Sequence, residues 1–425
     1  MTSPAWPAPR ADQALNAVMP LPGSKSQTNR LLVLAALADG TSVVRRPLRS
    51  RDTELMVAGL RVLGVDVTDG PDGAWEVTGV SGPLHPIAGA VDVGNAGTVA
   101  RFLPPLATLI TGEVRFDGDP RVRERPLGPL LAALRQLGAE LDRVDQLPVT
   151  VRGRGALHGG TVTVDASQSS QLVSGLLLSA PRFDRGITVR HEGPALPSAP
   201  HLAMTVAALR DAGATVDDGA TDTWRVEPGS LHTRDVTVEP DLSTAAAYLA
   251  APLVAGGSVT VPGWPRTTVQ PGAVLPELLE AMGGRVSRTD DAVTVTAGDG
   301  LHGIEADLRD APELTPVLTA LAALADSPSH FFGVAHIRLQ ETDRLAALAT
   351  ELNRMGGDVR ETPDGLTITP RALTGQALAS YDDHRIAMAW AVLGLGVEGI
   401  SVLDVATTRK TVPDFVGSWT RMLGL

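Results

Sequence analysis

Six short polar clusters interrupt the chain, and each stands directly before an apolar run. They occupy residues 25–30, 95–101, 169–171, 241–244, 313–315 and 383–385. Ser, Thr, Asn and Asp commonly cap the start of a helix, so each of these residues alone predicts only a cap. Lys and Arg oppose the helix dipole at such a start. Lys25, Arg30, Arg101 and Arg385 therefore predict an anion bound near the helix starts.

Two further segments, residues 121–126 and 338–344, alternate arginines with acids. Mixed charges are ordinary on a solvated face, but arginines oriented by acids also suit bidentate binding of a carboxylate or phosphate. Glu341 lies beside Arg344, and Glu313 precedes an apolar run, so both are candidate acid or base groups. Lys410 follows a strand-like stretch and is a candidate cation. The spacing GxxxxGK[ST] is missing from the first cluster, which disfavours ATP hydrolysis.

The amino-acid composition excludes several classes of protein. The net charge is -12, so the bulk surface repels nucleic acid and anionic membranes. Cysteine is absent, which excludes thiolate metal sites and fits a reducing compartment. No run of 18 apolar residues predicts a membrane span. Residues 1–10 predict a flexible arm and no signal peptide. We therefore expect a cytoplasmic protein.

Two kinds of helix recur along the chain and must position these residues. One kind ends at a glycine at intervals of 68 to 75 residues, which predicts a left-handed C-terminal cap at Gly64, Gly138, Gly213, Gly283, Gly356 and Gly424. The other kind is apolar nearly all round and must be buried. With the strand-like runs between them, they predict an α/β fold of six repeated β-α-β-α-β units.

Grouping these units three and three predicts two domains, each with buried helices surrounded by sheets, as in an inverse α/β barrel. We expect one domain to contain residues 1–20 plus 241–425 and the other residues 21–240. The active site is expected in the cleft between them.

Seven motifs run from residue 21 to residue 415; they are LPGSKSQTNR, GNAGTVARF, RVRERPLGPLLAALRQLGA, SSQLVSGLLLSAP, QETDRLAALATEL, DDHRIAMAW and KTVPDF. Together they resemble the 5-enolpyruvylshikimate-3-phosphate synthase family. The resemblance implies two domains of three units that close over phosphoenolpyruvate and shikimate 3-phosphate. It also implies transfer of the enolpyruvyl group to the shikimate 5-hydroxyl with release of phosphate. Glyphosate is then an expected inhibitor, because the small Gly97 leaves space in the phosphoenolpyruvate pocket.

The resemblance also implies site residues, carried over by motif position. Shikimate 3-phosphate is expected to contact Lys25, Ser26, Arg30, Ser169, Ser170, Gln171, Ser198, Glu313, His336 and Gln340. Phosphoenolpyruvate is expected to contact Lys25, Asn95, Gly97, Arg121, Gln171, Arg344, Arg385 and Lys410. Glu341 is the expected proton donor to the phosphoenolpyruvate methylene, Glu313 the base for the 5-hydroxyl, and His384 an orienting group beside them. Lys25 is expected to be catalytic as well, as a cation that neutralises the gathered carboxylates and phosphates. Neither a metal nor another cofactor is expected.

The chain departs from the family pattern at three positions. Glu313 stands where the family usually has Asp, so the base is retained with one more methylene. His336 and Gln340 stand where the family often has Asn and Lys, which removes one positive charge from the shikimate site. We expect both side chains to line that site.

Two other functions remain alternatives. The UDP-N-acetylglucosamine enolpyruvyl transferase family shares the architecture, but it generally presents a cysteine on a mobile loop, and this chain has no cysteine. An RNA-binding protein of related architecture would need a basic, aromatic surface, which the charge of -12 opposes. We expect the two small-molecule substrates as the partners, and a monomer.

Overall fold

The computed structural model describes residues 5–425, which form two compact units. The inserted unit spans Gly23–Val238, and the terminal unit contains the chain up to Pro22 together with Glu239–Leu425. Each unit has its own apolar core. The inserted unit is two residues shorter at each end than the range 21–240 expected from sequence. Pro22 belongs to the terminal unit because its carbonyl accepts a hydrogen bond from Asp241 N at 2.9 Å, whereas Gly23 packs against the backbone of Arg46 and Leu48.

Twelve α-helices lie within residues 5–425. They are α1 (Lys25–Leu37), α2 (Arg51–Val62), α3 (Gly97–Ala107), α4 (Gly128–Gln136), α5 (Gln171–Ser179), α6 (Ala199–Asp211), α7 (Ala245–Ala255), α8 (Leu275–Ala281), α9 (Thr315–Leu324), α10 (Arg344–Arg354), α11 (His384–Gly396) and α12 (Phe415–Leu423). Short 3₁₀ turns occupy Pro71–Gly73, Pro120–Glu124, Ala180–Arg182, Pro271–Val274, Pro312–Leu314, Ala335–Leu339 and Val405–Lys410.

The odd-numbered helices are the apolar ones, and they are buried over most of their length. In the inserted unit α1, α3 and α5 pack against one another, and in the terminal unit α7, α9 and α11 do the same. The prediction of buried helices is therefore confirmed. Polar residues at their starts are buried as well, among them Asn95, Ser170, Asp241, Thr315 and His384.

Each even-numbered helix is followed by one of the repeated glycines. The φ angles at Gly64, Gly138, Gly213, Gly283, Gly356 and Gly424 are 91°, 100°, 94°, 102°, 97° and 75°. A side chain with a Cβ disfavours this region by about 1 kcal/mol or more. The predicted positive-φ caps are thus confirmed in all six units.

The strands are short. They are β1 (Trp6–Pro7), β2 (Leu15–Val18), β3 (Thr41–Arg45), β4 (Asp66–Asp69), β5 (Trp75–Thr78), β6 (Ala90–Asp92), β7 (Thr111–Asp117), β8 (Glu140–Leu141), β9 (Val149–Arg154), β10 (Gly160–Val164), β11 (Ile187–His191), β12 (Val216–Asp217), β13 (Thr223–Val226), β14 (Asp235–Thr237), β15 (Gly257–Pro262), β16 (Arg285–Arg288), β17 (Ala292–Thr296), β18 (Glu305–Asp307), β19 (Ser329–Phe332), β20 (Asp358–Thr362), β21 (Gly365–Thr369), β22 (Ala377–Leu378) and β23 (Ser401–Val402).

Each sheet is built around one parallel pair of strands. The pairs are β14–β3, β6–β7 and β10–β11 in the inserted unit, and β2–β15, β18–β19 and β22–β23 in the terminal unit. A third strand joins each pair antiparallel; on β7, for example, Phe116 lies opposite Val149 of β9. In five sheets a fourth strand follows, so these units carry one short strand more than predicted.

The sixth sheet takes its third strand from the N-terminal segment, where β1 pairs antiparallel with β23. The expected flexible arm is therefore wrong for Trp6–Pro7, while residues 1–4 lie outside the described residues. The Trp6 ring packs edge-on against Phe415 at 6.2 Å between centroids. Burial of an aromatic side chain and pairing of an open sheet edge both stabilise this segment.

Candidate active site

The predicted site residues beyond helix α1 all follow the carboxyl end of a strand in a parallel pair. Because these ends meet at one edge of each sheet, the two loops that leave a pair are neighbours. The loops after β6, β7, β10 and β11 carry Asn95, Gly97, Arg121, Ser169, Ser170, Gln171 and Ser198. The loops after β18, β19, β22 and β23 carry Glu313, His336, Gln340, Glu341, Arg344, His384, Arg385 and Lys410.

Helix α1 begins with the cation Lys25, and the Ser24 side chain caps it by accepting from Gln27 N at 3.4 Å. Lys25 Nζ lies 3.3 Å from Asp52 Oδ2, and the Asp52 side chain is only 3% exposed. One turn further on, Asn29 Nδ2 donates to Thr98 Oγ1 at 2.6 Å, which joins α1 to α3. The Lys25 ammonium is thus held at the helix start by an acid from α2.

Arg30 is 1% exposed, and its guanidinium hydrogen bonds go to neutral oxygens. Arg30 Nε donates to Thr205 Oγ1 at 2.8 Å, Nη1 to the Ser26 carbonyl at 2.9 Å, and Nη2 to the His201 carbonyl at 2.8 Å. Phe102 lies beneath the guanidinium at 5.2 Å. Burial lowers the pKa of Arg30 to about 9, so the group remains charged at neutral pH. Among residues 5–425 this buried cation has no carboxylate partner.

A second buried arginine, Arg125, lies against the turn that precedes α3. Arg125 is 8% exposed, and its Nη1 donates to the Asn95 carbonyl at 2.8 Å. A Cβ built on Gly97 would lie 2.5 Å from Arg125 Nη2 and 2.7 Å from Arg101 Nη1. Only glycine therefore leaves room for both guanidinium groups at this helix start.

Arg121 lies within the 3₁₀ turn Pro120–Glu124, whereas Arg125 is the C-cap that follows it, and the two side chains have different surroundings. A 3₁₀ helix has three residues per turn, so residues three apart share a face. Arg121 shares its face with Glu124, and the two side chains pair at 2.7 Å with the arginine 34% exposed. Arg125 follows the buried face of Val122. The structure thus brings Arg125 to Asn95 and Gly97, and the predicted role of Arg121 stays a prediction.

The third cluster of the inserted unit precedes α5 and α6. Ser170 is buried, and Ser169 Oγ accepts from Gln171 N at 3.3 Å. Gln171 Oε1 accepts from Arg101 Nη1 at 3.3 Å, which joins this cluster to α3. Ser198 has φ 55° and ψ 47°, a left-handed conformation that residues with a Cβ seldom adopt. Such strain is concentrated at functional sites.

In the terminal unit the centre of the cluster is Arg344, which is 1% exposed. Arg344 Nε donates to Asp383 Oδ2 at 2.8 Å, and Nη2 donates to Glu341 Oε2 at 3.0 Å. Its Nη1 donates to Gln340 Oε1. Burial alone would lower the pKa of Arg344, but the carboxylates of Asp383 and Glu341 raise it above its ordinary value.

Two more cations stand beside Arg344. Lys410 Nζ lies 3.8 Å from Glu341 Oε1, with both side chains less than a tenth exposed. Arg385 Nη1 donates to the Glu313 carbonyl at 3.4 Å, which brings the start of α11 to the turn before α9. His384 is buried, with Nδ1 4.0 Å from Asp383 Oδ1. The predicted residues of the terminal unit other than His336 are therefore linked by these contacts; His336 is partly buried in the turn after β19.

A family model described as EPSP synthase (3-phosphoshikimate 1-carboxyvinyltransferase) matches residues 9–419. The chain belongs to the EPSP synthase family. A solved structure of EPSP synthase from Acinetobacter baumannii superimposes with a TM-score of 0.82 at 24% identity, covering 98% of this chain and 97% of that one. A second structure of EPSP synthase from Acinetobacter baumannii gives 0.81 at 24% identity, covering 98% of each chain. These two likenesses show the two-domain fold.

As an EPSP synthase, the chain transfers the enolpyruvyl group of phosphoenolpyruvate to shikimate 3-phosphate in aromatic biosynthesis. The family and the activity expected from sequence are confirmed. Across residues 5–425 no helix is both long enough and apolar enough to cross a bilayer. In the same part of the chain no group of three His, Asp or Glu side chains has an arrangement that would hold a metal ion.

Sequence reasoning missed four residues of these EPSP synthase clusters: Asp52, Arg125, Thr205 and Asp383. Asp383 caps α11 by accepting from Arg385 N at 2.8 Å while it also accepts from Arg344. Its position before His384 and Arg385 was a visible cap signal. In RVRER, Val122 is apolar and stands three residues before Arg125. Residues three apart share a face of a 3₁₀ turn, so this spacing was the signal that Arg125 lies on the buried side. Nothing local in the sequence pointed to Thr205 or Asp52, which lie on neighbouring helices.

Proposed function

We propose a division of labour in which the inserted unit binds the phosphate of shikimate 3-phosphate, residues of both units bind phosphoenolpyruvate, and the terminal unit supplies the acid and the base. The observation that carries this proposal is the contrast between buried arginines. Arg30 and Arg125 have only neutral partners, whereas Arg344 lies between two carboxylates. A buried charge without a counter-ion is costly. A phosphate or carboxylate ligand would remove that cost at Arg30 and Arg125.

Shikimate 3-phosphate is proposed to bind at the starts of α1, α5 and α6. Backbone N–H groups at a helix start, together with hydroxyl groups, bind phosphate well. Ser169, Ser170 and Ser198 supply hydroxyls there, and Arg30 supplies a charge that links the three helices. The residues proposed for this ligand are Lys25, Ser26, Arg30, Ser169, Ser170, Gln171, Ser198, Glu313, His336 and Gln340.

Phosphoenolpyruvate is proposed to contact residues of both units. In the inserted unit the pocket would be the Gly97 turn, to which the structure adds Arg125 beside Asn95. The full set is Lys25, Asn95, Gly97, Arg121, Arg125, Gln171, Arg344, Arg385 and Lys410. Glyphosate is proposed to compete for this set, because the space that it needs exists only while residue 97 lacks a side chain.

The proposed chemistry uses the two carboxylates of the terminal unit. In its protonated form Glu341 donates a proton to the methylene carbon of phosphoenolpyruvate, which makes the adjacent carbon electrophilic. Glu313 takes the proton of the 5-hydroxyl as its oxygen attacks that carbon, giving a tetrahedral adduct. Loss of phosphate and return of one methyl proton to the Glu341 carboxylate then give the enol ether of the product. His384 orients this machinery, and the cations stabilise the charge that develops.

We further propose a cytoplasmic monomer. One chain provides every proposed ligand-binding group, and the charge of -12 disfavours association with nucleic acid or anionic membrane. Light scattering during gel filtration should give the mass of one chain, and a dimer mass would contradict this proposal.

The test compares two arginines of one turn. Phosphate release should be seen with phosphoenolpyruvate and shikimate 3-phosphate but not with UDP-N-acetylglucosamine. Arg125→Lys should raise KM for phosphoenolpyruvate about tenfold or more, because a lysine loses the forked geometry. Arg121→Lys, at the exposed position, should raise it less. If Arg121→Lys has the larger effect, Arg121 is the ligand and the place given to Arg125 is wrong.

A further inference from the structure

The segment between β22 and α11 has an unusual backbone. Tyr381 and Asp382 both have φ of 55°, and neither is glycine. Side chains with a Cβ rarely adopt this conformation, and two in succession are rarer still. Such a turn persists only where its surroundings hold it. The next residue is Asp383, which contacts Arg344 and caps α11.

Glu351 of α10 is the group that holds this turn. It is 2% exposed, and its carboxylate accepts from two atoms of the segment. Tyr381 Oη donates to Glu351 Oε1 at 2.7 Å, and Ala379 N donates to Glu351 Oε2 at 3.3 Å. From the other side, Trp390 Nε1 donates to the Ala379 carbonyl at 2.9 Å. Both peptide groups of Ala379 and the Tyr381 ring are thereby fixed.

Glu351 and Arg344 lie on the same helix, seven residues apart. Seven residues make about two turns, so their side chains project from one face of α10 and lie roughly 10 Å apart along its axis. Glu351 contacts the beginning of the segment and Arg344 contacts its end. Helix α10 therefore holds residues 379–383 at two points, with the strained residues between them.

We propose that Glu351 and Tyr381 are positioning residues for enolpyruvyl transfer: by holding the strained turn, they keep Asp383 Oδ2 against Arg344 and so orient the Arg344 guanidinium. Neither residue touches a substrate in this proposal. It rests on the proposed role of Arg344 in binding phosphoenolpyruvate. Loss of the Tyr381 hydroxyl lets the turn relax, Asp383 moves, and Arg344 loses one of its two carboxylate partners.

The chain contains a control for deletion of a tyrosine hydroxyl, its only other tyrosine, which is 2% exposed whereas Tyr381 is 38% exposed. Tyr248 lies in the terminal unit, and its hydroxyl is 2.7 Å from Ser418 Oγ. Burial raises the pKa of both tyrosines to about 12. Tyr248→Phe and Tyr381→Phe therefore delete the same atom and one hydrogen bond each. Only Tyr381 is connected to Asp383 through the turn.

The experiment measures steady-state kinetics and thermal unfolding for both variants. Tyr381→Phe should raise KM for phosphoenolpyruvate about five- to tenfold, the size expected for one net hydrogen bond. Its KM for shikimate 3-phosphate should stay within about twofold of the parent value. Tyr248→Phe should lower the melting temperature at least as much, because Tyr248 is the more buried of the two, but it should change neither KM. Equal kinetics for the two variants would mean that Tyr381 is only structural, and the proposal would be overturned.

Two further variants keep the outcomes distinct. Arg344→Lys tests the proposed function: if its KM for phosphoenolpyruvate is unchanged, the assignment of Arg344 fails. If Arg344→Lys raises that KM but Tyr381→Phe does not, the positioning inference fails alone. Glu351→Gln keeps the side-chain size and serves where Tyr381→Phe does not fold. It should show the same rise in KM for phosphoenolpyruvate, and an unchanged KM would again overturn the inference.

Discussion

The two units bury arginine in opposite ways. Arg30 of the inserted unit and Arg344 of the terminal unit are each 1% exposed. Arg30 has neutral oxygens around it, and burial lowers its pKa to about 9. Arg344 contacts Asp383 and Glu341, and their carboxylates raise its pKa above its ordinary value. Similar burial thus leaves one charge uncompensated and the other neutralised within the protein.

This difference shows where an anionic substrate gains most. At Arg30 the phosphate of the proposed ligand would supply the missing counter-ion, so its binding would be favoured by charge as well as by hydrogen bonds. At Arg344 the counter-ions are already present, and one of them, Glu341, is the candidate proton donor. Lys25 is intermediate, because it pairs with the buried Asp52 while its own side chain is 14% exposed. The comparison therefore separates Arg30, whose counter-ion would come from the substrate, from Arg344, which has carboxylate partners within the protein besides its proposed role in binding phosphoenolpyruvate.

The largest effect is expected from the terminal unit, where Glu313→Gln removes the proposed base. The variant should lower kcat by about 10²- to 10⁴-fold, while calorimetry should find shikimate 3-phosphate binding nearly as tightly as to the parent. Glu305→Gln, which changes an exposed residue of β18 in the same way, is the control and should keep normal turnover. Near-normal turnover of Glu313→Gln would remove the acid–base role from this position.

A second change gives Arg30 an internal counter-ion and so makes the inserted unit resemble the terminal one. In Thr205→Asp a carboxylate replaces the hydroxyl that accepts from Arg30 Nε at 2.8 Å. Affinity for shikimate 3-phosphate should fall about ten- to a hundredfold, because the ligand must displace or repel this new charge. Thr205→Asn has the same shape without the charge and should bind within about threefold of the parent. Equal binding by the two variants, measured by calorimetry, would break the comparison.

A third change tests the space beside Arg125. A methyl group on residue 97 would lie within 3 Å of Arg125 Nη2 and must displace that flexible guanidinium. Gly97→Ala should raise KM for phosphoenolpyruvate about tenfold, the cost of one weakened charged contact. Glyphosate should inhibit the parent competitively with phosphoenolpyruvate and inhibit this variant less. At Gly229 a Cβ would meet nothing, so Gly229→Ala is the control; similar kinetics for both would exclude crowding at Gly97.

The repeat made most of the fold predictable from sequence. A glycine after every second helix can be recognised in the sequence because a helix that ends with a positive φ favours glycine at that position. Helices such as α7 and α9 are apolar on all sides, and such helices are stable only inside a core. The strands that form only by pairing with distant parts of the chain could not be predicted from the sequence. Two-residue strands such as β8 carry too little pattern to be recognised. The strand β1 exists because a distant sheet has an open edge.

The site was predictable as motifs but not in its contacts. Residue type does not distinguish Arg121 from Arg125, but the geometry of the 3₁₀ turn leaves Arg121 partly exposed and buries Arg125. Asp383 has a readable cap signal, whereas its contact with Arg344 joins residues 39 positions apart. Gln340 is a third case: the sequence places it at shikimate 3-phosphate, and the structure adds a hydrogen bond to Arg344. Side-chain direction, which a motif does not encode, accounts for all three.

The smallest expected effect distinguishes these two roles of Gln340. Gln340→Met keeps the length of the side chain and removes the amide oxygen that accepts from Arg344 Nη1. If that contact matters most, KM for phosphoenolpyruvate should rise about two- to fivefold, as for one net hydrogen bond, and KM for shikimate 3-phosphate should not change. Gln376→Met deletes a similar acceptor, 3.3 Å from Arg354 Nη2, and should leave both constants unchanged. If only KM for shikimate 3-phosphate rises, Gln340 contacts that ligand instead. Its hydrogen bond to Arg344 would then matter little, and the two carboxylates alone would account for the difference between Arg344 and Arg30.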